Sequence, residues 1–245
     1  MRPLERRKFE LHAGTERYQE RIQRAEQHIR SAFEKYEQPY VSVSGGKDST
    51  VMHHLVTQRC GYSVDVFQFD WGLRNVPGIN EHIDRLVSEF GGSLVRRTSE
   101  KVNDPERFAN DEHHGIAGLM GWTRKLGKER GWDVALLGIR AEESPARREK
   151  YSGDPPTNHS GVHPTAAPIH HLTAMDVWTY IVEHDLPYHE LYDEQGELFG
   201  GIDKPENRLV TIYDHEFSSL GSEAISQFVY PDATNALKDI EQRNG

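Results

Sequence analysis

The sequence has little cysteine: Cys60 is the single thiol among 245 residues. One thiol excludes a disulfide within the chain, and it excludes an iron–sulfur cluster or a cysteine-rich zinc site built from this chain alone. The sequence also lacks an apolar run of about 18 residues, the length that a membrane helix needs. Residues 1–8 are charged and lack the apolar centre of a secretory signal. These absences predict a cytoplasmic protein that does not cross a membrane.

Positive charge is scarce as well. Lysine and arginine total 29 against 39 aspartates and glutamates, which gives a net charge of −10. A free-standing nucleic-acid binder usually has a basic balance, so any DNA contact would be made mainly through partner proteins. Hydrophobic residues make up 36% and charged residues 28% of the chain, which is typical of a globular protein with a hydrated surface.

Predicted strands and helices alternate along the chain. The predicted strands are residues 40–44, 64–69, 94–97 and 134–139, and the predicted helices are residues 16–37, 49–58, 77–90, 112–130 and 173–182. This alternation predicts an α/β fold with an open, mainly parallel twisted sheet and helices on both faces. Ligands of such sheets bind beyond the carboxyl ends of the strands.

Three regions are predicted from this pattern. Residues 1–38 form an N-terminal arm and a docking helix, with residues 1–14 held loosely; residues 39–195 form the nucleotide-binding domain; residues 196–245 form an α-rich tail packed on the site, with a closing helix at 233–241. Residues 151–168 are rich in glycine and proline and predict a loop that is mobile until ligand binds. Four histidines in or after that loop offer either a metal site or a phosphate contact: His159, His163, His170 and His171.

The strongest motif is residues 44–50, Ser-Gly-Gly-Lys-Asp-Ser-Thr, called here the glycine loop. It follows a predicted strand and opens a helix, where free backbone N–H groups and the helix dipole favour an anion. Gly45 and Gly46 let a phosphate approach the backbone, Lys47 adds positive charge, and Asp48 could hold Mg²⁺. The adjacent glycines distinguish this loop from a Walker A loop. The nucleotide contacts predicted here are Ser42, Ser44, Gly45, Gly46, Lys47, Asp48, Ser49 and Thr50.

The glycine loop resembles the signature of the PP-loop ATP pyrophosphatases, most closely the phosphoadenosine phosphosulfate reductase-like branch. A second segment, residues 138–148, called here the arginine run, reads Gly-Ile-Arg-Ala-Glu-Glu-Ser-Pro-Ala-Arg-Arg and resembles that branch's second signature. The resemblance implies an adenine nucleotide alpha hydrolase-like fold that binds ATP with Mg²⁺. It also implies cleavage between the α- and β-phosphates, or binding of a related adenylyl compound.

The arginine run supplies the second half of the predicted site. Its predicted nucleotide contacts are Gly138, Arg140, Glu143 and Arg148, and Arg140 and Arg147 are predicted to face the α-phosphate and an oxyanion substrate. With Lys47 and Asp48, those two arginines complete the predicted catalytic set. They would stabilise developing charge while a substrate oxygen attacks the α-phosphate and pyrophosphate leaves.

Asp70 ends the second predicted strand in Asp-Trp-Gly, where the family often has Asp-Thr-Gly. It is predicted to contact the nucleotide ribose or a metal, or else to serve as an ordinary turn residue. Trp71, which replaces the threonine, would reshape the substrate pocket.

The resemblance fails at one point that bears on sulfur chemistry. Reductases of this branch carry a C-terminal Cys-Gly-x-His segment, whereas no cysteine follows Cys60 here. Cys60 lies at the far end of a predicted helix from the glycine loop, so it is interpreted as a packing residue. Sulfur would then come from a partner such as a cysteine desulfurase.

Several functions follow from the resemblance. The favoured hypothesis is an ATP pyrophosphatase of DNA backbone phosphorothioation, and a homodimer is one expected assembly. The alternatives are an enzyme like phosphoadenosine phosphosulfate reductase or the ATP sulfurylase small subunit, a tRNA thiolase, and a non-catalytic adenine-nucleotide scaffold. A scaffold would keep the glycine loop but lose the arginines, and this sequence keeps both.

Overall fold

A central sheet of six strands organises the part of the chain that the computed structural model describes: residues 1–72, 75–98, 116–204, 207 and 209. The strands are β1 Pro39–Ser42, β2 Asp65–Asp70, β3 Ser93–Thr98, β4 Val134–Leu137, β5 Thr157–Asn158 and β6 Thr165–Ala166. Their order is β3-β2-β1-β4-β6-β5, and every neighbouring pair is parallel except β5 with β6. The predicted open, mainly parallel sheet is confirmed.

Eight helices surround the sheet within the described ranges. They are α1 Pro3–Ala13, α2 Glu16–Lys35, α3 Lys47–His54, α4 Ile79–Phe90, α5 Ile116–Arg130, α6 Pro145–Lys150, α7 Ala174–Glu183 and α8 Leu191–Phe199. A π-helical turn, Leu55–Arg59, continues α3. No helix among the described residues is long and apolar enough to cross a membrane.

The sheet has a hydrophobic core on each face because successive strand residues point to opposite sides. In β1, Val41 packs into the larger core with α2, α3, α4 and α7, whereas Tyr40 packs into a smaller core with residues of α5. Leu136 and Ala135 of β4 divide in the same way. Burial on both faces is the reason that β4 reads as a continuous apolar run.

Helix capping agrees with the sequence signals at two helices. The side chain of Thr15 accepts a hydrogen bond from the backbone N–H of Tyr18 and begins α2. Thr173 does the same for Asp176 at the start of α7. Trp178 of α7 is fully buried in the larger core.

The prediction that residues 1–14 form a loosely held arm is wrong. They contain α1, whose Phe9 is fully buried and lies 6.5 Å from Trp178 between ring centroids. The buried Asp176 carboxylate also accepts hydrogen bonds from His12 of α1 (2.8 Å) and Arg21 of α2 (2.6 Å). The sequence pattern missed α1 because Phe9 is its one buried residue, while Leu4 and Leu11 are exposed.

The prediction of a loop over residues 151–168 is wrong in part, because β5 and β6 lie within it and extend the sheet beyond β4. Each has only two residues, too few for an alternating pattern to be recognised. Of the predicted α-rich tail at 196–245, the structure describes residues 196–204, 207 and 209, and residues 196–199 are the last turn of α8. The closing helix predicted at 233–241 lies outside the described residues, so the α-rich tail stays a prediction.

Candidate nucleotide-binding site

The candidate site lies where the strand order of the sheet reverses. From β1 the chain adds β2 and β3 on one side and then places β4 on the other side of β1. The carboxyl ends of β1 and β4 therefore form a switch-point crevice, the usual ligand site of such sheets. The glycine loop leaves β1 there and the arginine run leaves β4, as the sequence predicts.

The two segments are in direct contact. A Cβ placed on Gly138 would lie 2.7 Å from the carbonyl carbon and oxygen of Asp48 and from the backbone nitrogen of Ser49. Such a distance is shorter than real Cβ contacts, so residue 138 must be glycine for the end of β4 to approach α3 this closely. Gly138 thus has a packing role beside its predicted role at the nucleotide.

Glycine is also required inside the glycine loop. Gly45 has a φ of 75°, which is left-handed backbone, and a Cβ there would lie 2.4 Å from Cδ1 of Ile79 in α4. Gly46 is the N-cap of α3, and its carbonyl accepts the backbone N–H of Thr50 at 3.0 Å. The loop therefore turns sharply into the first turn of α3, where Ser49 lines the crevice.

The hydroxyl groups of the loop brace it from within. Ser49 Oγ donates to the carbonyl of Gly46 (2.9 Å) and accepts the backbone N–H of Ser44 (3.2 Å). The Ser44 and Ser49 hydroxyls lie 3.3 Å apart, and Thr50 Oγ1 donates to the Gly46 carbonyl (3.2 Å). Ser44 and Ser49 also line the crevice, whereas Thr50 is 1% exposed and faces the interior.

Lys47 and Asp48 are held by groups from distant parts of the chain. The Lys47 ammonium is 3% exposed and donates to the backbone carbonyl of Asn207 at 3.1 Å. Asp48 Oδ1 accepts from Arg140 Nε at 2.5 Å, and Asp48 Oδ2 lies 3.9 Å from Lys47 Nζ. The carboxylate therefore lies between two cations, one from each half of the site.

Asp48 has oxygen ligands of the kind that Mg²⁺ prefers, but one of them is engaged by Arg140. Among the described residues no three histidine, cysteine, aspartate or glutamate side chains cluster as a metal site. The Mg²⁺ role of Asp48 stays a prediction.

Arg140 is a buried, charged anchor. Burial by itself would lower the pKa of its guanidinium, but Asp48, Glu142 and Glu143 together raise that pKa above its usual value. Arg140 pairs with Asp48 and Glu142, and Glu142 also accepts the backbone N–H of Ala174 at 2.6 Å. Glu142 thereby links the arginine run to α7, a contact that the sequence interpretation missed.

Glu143 and Arg147 form a second ion pair within the arginine run. Glu143 accepts the backbone N–H of Arg140 (2.8 Å) and pairs with Arg147 Nη1 (2.8 Å). The Arg147 side chain keeps 32% of its surface exposed and lines the crevice. Ser144 caps α6 through the N–H of Arg147 (3.2 Å), while Arg148 lies exposed on α6, outside the crevice lining.

For Asp70 the structure favours the turn interpretation. Its Oδ1 accepts the backbone N–H of Gly72 (2.9 Å) and the amide of Asn75 (2.5 Å), and its Oδ2 accepts from Asn80 (3.3 Å). These bonds fix the chain where it leaves β2. The ribose or metal contact would have to compete with three internal donors.

The crevice has a volume of about 430 Å³, within the range of small-molecule sites. Its lining is polar in part and apolar for the rest. The predicted contacts that line it are Ser42, Ser44, Ser49, Gly138 and Arg147. The apolar lining residues are Val43, Phe69, Trp71, Val76, Ile79, Leu119, Leu137, Ile139 and Leu209. A ligand that carries both anionic and flat apolar groups, such as a nucleotide, matches this mixed lining.

The remaining candidate groups lie away from the crevice or are engaged internally. His163 hydrogen-bonds the hydroxyl of Tyr40 (2.8 Å), and His170 and His171 hydrogen-bond the backbone carbonyls of Arg147 (3.2 Å) and Arg21 (2.8 Å). Cys60 packs half-buried against the larger core, and burial raises the pKa of its thiol to about 11. Its interpretation as a packing residue is confirmed.

Comparison with known protein families assigns the chain to one of them. Residues 38–227, more than half of the chain, match the family described as the phosphoadenosine phosphosulfate reductase domain. The chain belongs to this family. The predicted resemblance to the PP-loop ATP pyrophosphatases of that branch is thereby confirmed.

The curated relatives include sulfate adenylyltransferases. Subunit 2 of that enzyme from Rhizobium meliloti is 25% identical, covering 67% of this chain and 64% of that protein. Subunit 2 from Pseudoalteromonas translucida is also 25% identical, covering 87% and 84%. An uncharacterised Methanocaldococcus jannaschii protein is 27% identical, covering 70% and 37%. The chain thus spans 37% and 64% of the length of the first relatives it matches.

Two solved structures share the fold. A phosphoadenylyl-sulfate reductase from Candida auris, in a phosphate complex, has a TM-score of 0.55 and 19% identity, covering 70% of this chain and 84% of that chain. An NMN synthetase from Francisella tularensis has a TM-score of 0.53 and 14% identity, covering 92% and 93%. They confirm the predicted fold class. The relatives as a group favour the alternative of a reductase-like or sulfurylase-like enzyme over DNA phosphorothioation.

Proposed function

We propose that this chain binds ATP across the switch-point crevice and transfers its adenylyl group to an oxyanion, with release of pyrophosphate. The observation that carries the proposal is the contact between the glycine loop and the arginine run at Gly138. That contact brings the first turn of α3, the candidate phosphate site, to the strand end that leads into the arginine run, whose Arg147 lines the crevice.

In the proposed reaction the oxyanion's oxygen bonds to the α-phosphorus, and the bond from that phosphorus to the bridging oxygen breaks. Pyrophosphate leaves with the bonding electrons, so the step involves no oxidation. The N–H groups at the start of α3 and the hydroxyls of Ser44 and Ser49 would hold the departing pyrophosphate. Lys47 would supply positive charge to the same oxygens, by electrostatic preorganisation rather than covalent chemistry.

Arg140 and Arg147 would have different roles. Arg147 lines the crevice, and its pairing with Glu143 keeps the guanidinium in place while leaving it accessible to an incoming oxyanion. Arg140 is buried and would act from behind Asp48, holding the start of α3 against the end of β4. A bound Mg²⁺ would supply further charge neutralisation, with Asp48 as the residue to hold it.

Sulfate is the first candidate for the oxyanion, because relatives along most of the chain carry the name sulfate adenylyltransferase subunit 2. That name also supports a partner subunit. The phosphate of a DNA backbone, with sulfur from a partner desulfurase, is the second candidate. It is favoured by the buried, weakly acidic Cys60, which leaves sulfur delivery to another protein. A non-catalytic scaffold is disfavoured by the retained arginines.

Binding of ATP, measured by isothermal titration calorimetry, tests the glycine loop. We expect Lys47→Ala to abolish measurable ATP binding. Lys125→Ala, which removes an exposed lysine of α5, is the matched control and should bind as the wild type does. Unchanged ATP affinity in Lys47→Ala would remove the loop from the proposed site.

The acceptor is tested by pyrophosphate release from ATP in the presence of sulfate, or of duplex DNA with a cysteine desulfurase and cysteine. Release that needs sulfate supports the sulfurylase-like function, and release that needs DNA supports the second candidate. No pyrophosphate with either acceptor, from protein that binds ATP, would contradict both.

A further inference from the structure

Helix α8 sends one side chain into the start of α3. Tyr192 is 2% exposed, and its ring packs nearly perpendicular to that of Trp178 with 5.1 Å between centroids. Its hydroxyl accepts the backbone N–H of Lys47 at 2.9 Å. That N–H belongs to the first turn of α3, the group of donors that the proposed function assigns to pyrophosphate.

The same tyrosine also contacts the other end of Lys47. The ammonium lies 5.0 Å from the centroid of the Tyr192 ring, within the range of a cation–π contact. Because the hydroxyl holds the amide and the ring faces the ammonium, Tyr192 fixes both the backbone and the side chain of one residue.

Asn207 completes this arrangement. Its backbone carbonyl accepts the Lys47 ammonium at 3.1 Å, and its side-chain amide donates to the carbonyls of Tyr192 (2.8 Å) and Ile202 (3.0 Å). Asn207 is therefore tied to α8 on one side and to the glycine loop on the other. Leu209, two residues further, lines the crevice.

Tyr192 is suited to this contact because it stays neutral. Burial, with the Asp48 carboxylate nearby, raises the pKa of its phenol above the usual value. A neutral phenol oxygen accepts the Lys47 N–H without placing a negative charge where a phosphate is to bind.

We propose that Tyr192 is a positioning residue for Lys47, holding it at the crevice in readiness for the pyrophosphate portion of ATP. The proposal rests on the proposed function for its ligand. On ATP binding, the Lys47 ammonium exchanges the Asn207 carbonyl for a phosphate oxygen, while the Tyr192 hydroxyl keeps the start of α3 in place. The residue thereby couples nucleotide binding to α8 and to the wall of the crevice at Leu209.

The first test measures Lys47 itself, without nucleotide. Tyr192→Phe keeps the ring and removes the hydroxyl. Exchange of the Lys47 backbone amide hydrogen with solvent, followed by NMR, should then be about fivefold faster than in the wild type, the change that loss of one net hydrogen bond produces. Tyr188→Phe is the matched control, since Tyr188 packs on Trp178 at 5.2 Å but hydrogen-bonds Asp193. It should leave the exchange of the Lys47 amide unchanged, and equal exchange rates in both variants would overturn the proposal.

The second test measures ATP affinity in the same two variants. Tyr192→Phe should weaken ATP binding about fivefold, the effect of the same lost hydrogen bond, whereas Tyr188→Phe should bind within about twofold of the wild type. Equal ATP affinity in Tyr192→Phe and the wild type would mark Tyr192 as merely structural. Failure of the wild type to bind ATP would instead overturn the proposed function.

A second variant tests the proposal independently, in case Tyr192→Phe does not fold. Asn207→Ala leaves Tyr192 intact but removes the amide that ties the Asn207 carbonyl to α8. We expect faster acetylation of the Lys47 ammonium by acetic anhydride in this variant, because the carbonyl that holds the ammonium is released. Unchanged acetylation would contradict the proposed coupling.

Discussion

Gly138→Ala tests the contact on which the site depends. The new Cβ would lie 2.7 Å from backbone atoms of Asp48 and Ser49, where ordinary contacts are 3.4–4 Å. The end of β4 must then separate from the start of α3 by about 0.7 Å, because backbone atoms cannot rotate away as a flexible side chain would. Inserting one methyl group into a packed site costs about 1–3 kcal/mol.

If that cost falls on the nucleotide-bound state, ATP affinity decreases by about 5- to 150-fold. Calorimetry measures the affinity, and urea denaturation measures how much of the cost appears in the free protein. Gly121→Ala is the matched control: it lies in α5, and nothing approaches its Cβ position within 4 Å. It should stabilise the protein by about 0.5–1 kcal/mol and leave ATP binding unchanged. An ATP affinity of Gly138→Ala within about twofold of the wild type, together with an unchanged free energy of unfolding, would refute the close contact.

Three further outcomes follow from the structure. Arg140→Ala should lower the free energy of unfolding in urea by about 3 kcal/mol, because Asp48 loses its closest cation. Cys60→Ser should retain pyrophosphate release at the wild-type rate, because the buried thiol has a pKa of about 11 and lies outside the site. Burial lowers the pKa of His54 and of His82 to about 4, below the value of 6.5 in the unfolded chain. The contribution of these neutral histidines to the free energy of unfolding should therefore be fully present above pH 6.5 and decrease toward pH 4. Urea titrations at each pH should show a less steep decrease in the double variant His54→Gln/His82→Gln. The same pH dependence in the variant and the wild type would contradict this.

The fold was predictable from sequence because its determining signals are local and repeated. The continuous apolar run of β4 indicates a strand that is buried on both faces. Gly45 and Gly46 mark a sharp strand-to-helix turn that few other residues permit. The position of the arginine run followed from one general rule, that parallel strands bring their carboxyl ends to the same edge.

The features that sequence reasoning missed depend on contacts between distant residues. Tyr192 meets Lys47 across 145 positions of the chain, and nothing in its local sequence distinguishes it from an ordinary core tyrosine. Helix α1 is recognisable only from Phe9 inserted against α7, and β5 is too short to show a period. For Asp70 the sequence left two interpretations open, because an aspartate at the end of a strand has the same local sequence whether it caps a turn or binds a ligand.

The central claim is that ATP is cleaved between its α- and β-phosphates in this crevice. Chromatography of reactions with α-labelled and γ-labelled ATP, with sulfate or duplex DNA and a desulfurase as acceptors, measures the bond that breaks. The γ-label should appear in pyrophosphate and the α-label in AMP or an adenylylated acceptor, and both should depend on Lys47. Label in ADP and inorganic phosphate, or no turnover by protein that binds ATP, would contradict the proposed adenylyl transfer.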